Sequence, residues 1–306
     1  MNKENELYLK LKKAILKFGR PIETTWFSYL FEDGDIEDVI DALSMYQNED
    51  GGFAHGLEPD YLNPNSSPIQ TWTAMNILRT LNLPLNHPMI ESVLSYLEKT
   101  YQHDLKRWLN TIPSNDQYPR APWWNFVDKE KQTSFNPSIS IAGFILLYAS
   151  MDQPIYQIAK EVIYEGLIYF ELKKEPMEMH ELSCFMELAN DLFKLGGSTI
   201  LSDKLTNIYK AHIDQILDTH EHSWFSSYTC KPTALIHAHP SFLSDHYLPL
   251  LKKEAEISLT YQLEDGTWPV TWSWNQYEDD FKEAARTWKA IMSLNYLRLF
   301  KSLDMI

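Results

Sequence analysis

Two segments near opposite ends of this 306-residue chain repeat one pattern. YQNEDGGF, from Tyr46 to Phe53, is followed by QTWTAMNIL, from Gln70 to Leu78. YQLEDGTW, from Tyr261 to Trp268, is followed by RTWKAIMSL, from Arg286 to Leu294. Both copies keep Tyr-Gln, Glu-Asp-Gly and an aromatic, then Thr-Trp, Ala and Leu, in the same order. The Asp-Gly step ends a helix, because glycine tolerates the positive φ that the chain reversal needs. Weaker echoes, HDLKRWL (His103 to Leu109) and THEHSWF (Thr219 to Phe225), also follow helical stretches. A unit of helix, tryptophan-bearing turn and helix would recur about every 50 residues, so about six units fill the chain. Six helix pairs can close into a ring, which leaves no solenoid end to protect.

Apolar residues recur at helical spacing almost throughout. The spacing predicts helices over 3–18, 35–47, 67–82, 88–101, 137–151, 154–173, 177–195, 199–218, 229–238, 244–262 and 281–302. No stretch alternates with period two for long enough to suggest a sheet, so the fold class is all-α. Residues 103–136, rich in Pro, Trp and Asn, read as one long irregular segment, and loops of that length tend to be functional. No Gly/Ser linker or block of like charge divides the chain, which points to a single domain over 1–306.

The repeat resembles the one shared by squalene and oxidosqualene cyclases and by protein prenyltransferase β subunits: Gln, acidic-Gly, Gly or Ser, then Phe or Trp. The resemblance implies an all-α (α/α)6 toroid, a barrel of about six helix pairs. Its inner helices, starting near Ser67, Pro137, Met177, Thr229 and Phe281, would line a central cavity. The familiar catalytic signatures do not carry over. Class II cyclases use Asp-x-Asp-Asp, and neither DGDIED (Asp33 to Asp38) nor EDD (Glu278 to Asp280) fits it. Prenyltransferases hold zinc with Asp-x-Cys, and no Asp stands two residues before Cys184 or Cys230. His220, His222, His237 and His239 lack a set of ligand partners, so zinc is not supported.

Three motifs carry candidate chemistry. HGLEPD follows the first repeat turn, and its His55, Glu58 and Asp60 could supply a general acid and base. In EDDFKEAAR, Asp279, Glu283 and Arg286 fall within about 60° on a helix, and Asp279, Asp280 and Glu283 spell Asp-Asp-x-x-Glu. That string resembles the magnesium site of class I terpene synthases, so Asp279 and Asp280 are the residues expected to hold magnesium; Glu283 joins the catalytic candidates. The second metal motif of those synthases has only a poor counterpart in NDLFKLGGS (Asn190 to Ser198). In YPRAPWWNF, Arg120, Trp123 and Trp124 could stack on a sugar or shield a carbocation. Trp72 and Trp288, from the two Thr-Trp steps, complete the expected substrate contacts with Arg286. His180, Glu181, Cys184 and Lys231 sit near expected inner-helix starts, where most such residues are structural.

Formal charge is −15 and aromatics make up 13% of the chain. A surface that acidic repels phosphate backbones and anionic lipid heads, so nucleic acid is not an expected partner. An anionic substrate would need a metal ion or a local basic patch. The longest apolar run, Ile139 to Ala149, is too short to span a bilayer. The N-terminus has no apolar signal core, and two cysteines make no disulfide framework, which together suggest a cytoplasmic protein. Three readings follow. The first is an enzyme acting on an isoprenoid in an aromatic-lined cavity. The second is a carbohydrate-active toroid, with paired acids and stacking tryptophans. The third is a binding protein on the same scaffold without catalysis. The ligand would be a small apolar molecule or a glycan.

Overall fold

The computed structural model describes residues 3–196 and 200–306, and the fold is all-α. Among the described residues there are twelve α-helices and no β-strand, only isolated bridges. They are α1 (Lys3–Phe18), α2 (Pro21–Phe31), α3 (Ile36–Ser44), α4 (Pro68–Leu81), α5 (Pro88–Thr100) and α6 (Ser138–Tyr148). They continue as α7 (Pro154–Leu172), α8 (Met179–Gly196), α9 (Asp203–Ile216), α10 (Pro232–Leu235), α11 (Ser244–Tyr261) and α12 (Glu278–Ser302). None of these helices is long and apolar enough to cross a membrane.

Two spans differ from the periodicity. PIETTWFSYLF forms α2 although it has no clear polar face. Pro21 at its first turn and the Glu23 carboxylate, which accepts from the Arg20 backbone N–H at 2.8 Å, start the helix instead. The span expected at 229–238 shrinks to the single turn of α10, bracketed by Pro232 and Pro240. Elsewhere the ends are set by caps. The Ser67 hydroxyl accepts from Gln70 N at 3.2 Å to open α4, and Asn82, left-handed at φ 51°, closes it.

The chain forms two compact units, Met1–Met45 with Leu217–Ile306, and Tyr46–Ile216. In the first, α1 packs on α12, α2 on α3, and α10 and α12 each on α11. Its core includes Leu11, Ile15, Phe27, Leu43, Leu251, Trp268 and Phe300. In the second, α6 packs on α4, α7 and α8. Ser138 through Ile145 are all buried, as expected for a helix apolar on every side.

The two repeat turns fold alike, each within its own unit. Gln47 Nε2 donates to Gly51 O at 3.0 Å, and Gln262 Nε2 donates to Gly266 O at 3.0 Å. Gly51 and Gly266 take φ 89° and 87°. Asp50 Oδ1 accepts from Gly52 N at 2.9 Å, and Asp265 Oδ1 from Thr267 N at 3.1 Å. Each conserved letter of the pattern therefore has a job: the Gln amide clamps the turn, Gly supplies the left-handed backbone, and Asp caps the return. The third copy also reads Tyr101-Gln102, and Lys106 occupies the glycine position at φ 53°. There the Gln102 amide turns away to Thr100 O, 2.8 Å. The turn tryptophans anchor to the preceding helix or loop: Trp268 Nε1 to Ser258 O (2.8 Å), Trp108 Nε1 to Leu97 O (2.7 Å) and Trp224 Nε1 to Asp218 O (2.8 Å).

Candidate functional site

Helix α4 organises two polar clusters in the second unit. Gln70, in its first turn, is fully buried. Its Nε2 donates to Tyr61 O at 3.0 Å and Asn63 O at 3.1 Å, and its Oε1 accepts from Glu58 N at 3.3 Å. One side chain thus holds the HGLEPD loop against the helix. The same loop pairs with YPRAPWWNF, because Ala121 N donates to Asp60 O at 2.9 Å and Leu62 N to Pro119 O at 3.1 Å. Two motifs singled out separately in the sequence are therefore adjacent. Tyr61 stacks on Trp124 with centroids 5.9 Å apart. Asn115 accepts from the Tyr61 hydroxyl and donates to Trp124 O at 2.7 Å.

Glu58, Asp60 and Arg120 are 7%, 3% and 8% exposed, so the cluster lies beneath the surface. Arg120 Nη2 donates to Asp116 Oδ1 at 2.5 Å and Nη1 to Tyr118 O at 2.9 Å. Burial pushes the Tyr61 phenol up to about 12; the nearby Glu58 charge adds to this and Arg120 opposes it. His55 takes a different place. It is exposed, left-handed at φ 61°, and its Nε2 lies 2.9 Å from Asn48 Oδ1. Trp123 is 48% exposed.

The second cluster joins α4, α6 and α8. Trp72, Asn76 and Arg79 recur at helical spacing on one face of α4. The Arg79 guanidinium meets Asp191 bidentately, Nη2 to Oδ2 at 2.8 Å and Nε to Oδ1 at 3.1 Å. It also donates to Ser140 O at 2.7 Å and Asn76 Oδ1 at 2.9 Å. Glu187 stands 4.0 Å from Arg79 and accepts from Trp72 Nε1 at 2.7 Å and from the Ser140 hydroxyl. The side chains of Arg79, Glu187 and Asp191 are only 8%, 10% and 1% exposed. Burial works to lower the Arg79 pKa but is outweighed by Asp191 and Glu187, so the guanidinium stays charged. Burial raises the Glu187 pKa above the usual carboxylate value, against the opposing pull of Arg79, Ser140 and Trp72. The arrangement is one fixed ion pair beside an acid biased toward its protonated form, hydrogen-bonded to an indole.

That bias has a stability consequence. A carboxyl group with a raised folded pKa stabilises the fold fully below its unfolded value, and this stability is lost as pH rises through the folded pKa. Urea unfolding should therefore show stability falling as pH rises above the ordinary carboxylate range, and Glu187→Gln should flatten part of that fall, since burial raises the Asp191 pKa as well. An unchanged pH slope in the variant would show that Glu187 is ionised throughout.

The remaining candidates lie in the first unit. Asp279 is solvent-exposed and pairs with Lys282 at 2.7 Å. Asp280 is half-buried and Glu283 exposed in the same first turns of α12. Exposed Arg286 donates from Nη2 to Lys17 O at 3.2 Å. Trp288 meets Trp272 edge to face at 5.3 Å. Among the described residues no group of three or more His, Cys, Asp or Glu side chains is gathered to hold a metal ion. In NDLFKLGGS, Gly197 and Ser198 lie outside the described residues. Glu181 has a structural task, accepting from Ser134 Oγ (2.9 Å), Phe135 N (2.7 Å) and Tyr169 OH (3.1 Å). Lys231 lies 2.5 Å from Tyr296 OH and 3.4 Å from Glu254.

Arg79, Glu187 and Asp191 were not among the residues nominated from sequence. Their positions gave no distinguishing signal: Trp72 and Asn76 share the α4 face of Arg79, and Ser183, Asn190 and Lys194 neighbour Glu187 and Asp191 on α8, so both stretches read as polar helix faces. No family model, no curated protein and no solved structure matches this chain.

Proposed function

We propose that residues 1–306 form one (α/α)6 toroid of the terpenoid-cyclase and prenyltransferase type, and that it is an enzyme acting on a neutral ligand by acid catalysis from Glu187. The like geometry of the two repeat turns supports the toroid. The observation that carries the chemistry is a carboxyl group raised by burial and hydrogen-bonded to the Trp72 indole. Such a group keeps its proton to a higher pH than an ordinary carboxyl group does and can give it to an oxygen. The side chains around both clusters are Glu, Asp, Asn, Arg, Ser and Tyr with tryptophan beside them, a composition that suits a hydroxylated ligand. The favoured substrate is therefore a glycan. The Glu187 proton would go to the glycosidic oxygen, and the C–O bond would break with its electron pair on that oxygen. Water would add at the anomeric carbon, its proton passing to Glu58 or Asp60, on the loop held by the same helix α4.

The repeat supports a second reading, an isoprenoid substrate. Glu187 would then protonate an alkene, with Trp72 shielding the cation. A carboxyl group of raised pKa is a weak donor to carbon, which is why the glycan is favoured. Magnesium held by Asp279, Asp280 and Glu283 belongs to the diphosphate form of the isoprenoid reading, with Arg286 assisting.

The deciding assay follows product from a panel of neutral oligosaccharides, a neutral polyprene, and farnesyl and geranylgeranyl diphosphate with and without magnesium. Release of reducing sugar is expected, with kcat falling on the alkaline side as Glu187 ionises. Glu187→Gln should lower kcat by about 10²- to 10⁴-fold at unchanged helicity. Polyprene or diphosphate turnover alone would move the assignment to the isoprenoid, and full activity in Glu187→Gln would remove Glu187 from either chemistry. Ligand binding without turnover in the wild type would leave the scaffold as a binding protein.

A further inference from the structure

Three rings of the first unit, from three separate segments, meet at right angles at the surface. Tyr228 lies in the loop before α10, Trp272 in the segment leading to α12, and Trp288 in α12 itself. Tyr228 meets Trp272 at 5.6 Å and 71°, and Trp272 meets Trp288 at 5.3 Å and 82°. Trp272 is thus the middle ring, with its neighbours set nearly upright to it. Each upright pair sets one π face at a steep angle to the next. Tyr228 is 53% exposed and both tryptophans are half-buried, so solvent reaches all three rings. Core aromatics of the same unit, such as Trp268 and Trp274, are by contrast sealed.

Two perpendicular π faces suit a rounded cation better than a flat sugar ring, which needs one broad face. The charge of the chain agrees. The segment from Glu264 to Glu283, which contains Trp272 and leads to Trp288, carries Glu264, Asp265, Glu278, Asp279, Asp280 and Glu283 against Lys282 alone. Further cations of this unit have partners of their own: Lys289 is at 3.0 Å from Asp265, Lys231 lies by Glu254 and Tyr296, and Arg286 donates to Lys17 O at 3.2 Å. With the whole chain at −15, cations are drawn toward this face and anions repelled.

The geometry points to a binding site for a methylated ammonium group in the Tyr228–Trp272–Trp288 corner. It takes a quaternary cation of the size of trimethylammonium, and it is independent of the acid chemistry assigned to Glu187. Both a free metabolite and a methylated lysine carry this group, so the source is a matter for the ligand series.

Saturation-transfer NMR and calorimetric titration of the full chain should use tetramethylammonium, choline, a trimethyl-lysine peptide and dimethylbutanol, the neutral isostere of choline. Saturable binding of the cations is expected, with the neutral isostere about tenfold or more weaker. The peptide arm, compared with choline, tells whether the group arrives on a protein or free. Tyr228→Ala removes a mostly exposed ring at little cost to folding and should weaken cation binding several-fold. Trp272→Leu should abolish it, and Trp272→Phe, which keeps a ring, should retain part of it even if the leucine variant fails to fold. Equal binding of the isostere, no saturable binding of any cation, or wild-type affinity in Tyr228→Ala and Trp272→Phe would overturn the site.

Discussion

Replacing Arg79 by Leu is expected to destabilise the protein by about 3–5 kcal/mol, because it leaves Asp191 buried without its counter-charge. The Asp191 side chain is 1% exposed, and the bidentate contact to Arg79 supplies its cationic partner there. Glu187, at 4.0 Å from the same guanidinium, loses its compensating charge as well. The loss should be smaller at pH 5 than at pH 8, since an unpaired buried carboxylate takes up a proton and so relieves part of its desolvation. A double variant, Arg79→Leu with Asp191→Leu, should recover most of the loss, because both desolvated charges are then gone. Urea denaturation of the wild type, both single variants and the double variant completes the cycle. If Arg79→Leu costs less than about 1 kcal/mol, water reaches the pair and the cluster is not a closed interior site.

The second large effect concerns the repeat turn. Gly51→Ala combines a φ of 89° with a Cβ placed 2.2 Å from the backbone oxygen of Ser92. That oxygen belongs to α5 and cannot swing aside, so strain and overpacking add; about 2–5 kcal/mol is expected. Gly266 is the same position in the other copy, at φ 87°, but there the nearest atoms are Lys10 Cγ and Lys10 O at 3.0 Å. Gly266→Ala should therefore cost clearly less, with backbone conformation as its main component. Lys106 shows that the position tolerates a side chain where room exists. Thermal or urea melts of the two alanine variants decide this, and equal losses would mean that the left-handed backbone, not the contact with α5, sets the cost.

Both effects bear on function through α4. Its Gln70 holds the loop with Glu58 and Asp60, and its Trp72 and Arg79 meet Glu187 and Asp191. Distortion of the turn at Gly51, two residues before Phe53, whose carbonyl accepts from Ser67 N at 3.1 Å at the start of α4, would shift both clusters together. If the proposed Glu187 chemistry holds, a partly stable Gly51→Ala protein is expected to turn over oligosaccharide more slowly than wild type in the reducing-sugar assay.

Local rules sufficed for much of this protein. Helical periodicity with Pro, Asn and Gly stops placed ten of the twelve helices among the described residues, since an apolar stripe and a cap are properties of neighbouring residues. The repeat turns were legible for the same reason: Gln, Asp and Gly act within a few residues of one another. The helix α2 was not, because its sequence is apolar nearly all round and gives no phase. Among site residues, the sequence picked Glu58, Asp60, Arg120, Trp124 and Trp72, but not what they meet. The pairing of HGLEPD with YPRAPWWNF joins loops about as far apart in sequence as a whole repeat unit. The Arg79–Asp191 contact joins residues 112 apart in sequence, on α4 and α8. Such partners depend on helix rotation and packing, and so do the burial that raises Glu187 and the right angles among Tyr228, Trp272 and Trp288. Sequence alone determined an all-helical chain with glycine-closed repeat turns; only the tertiary structure decided which charges are buried together, because desolvation acts on groups that packing, not chain order, makes neighbours.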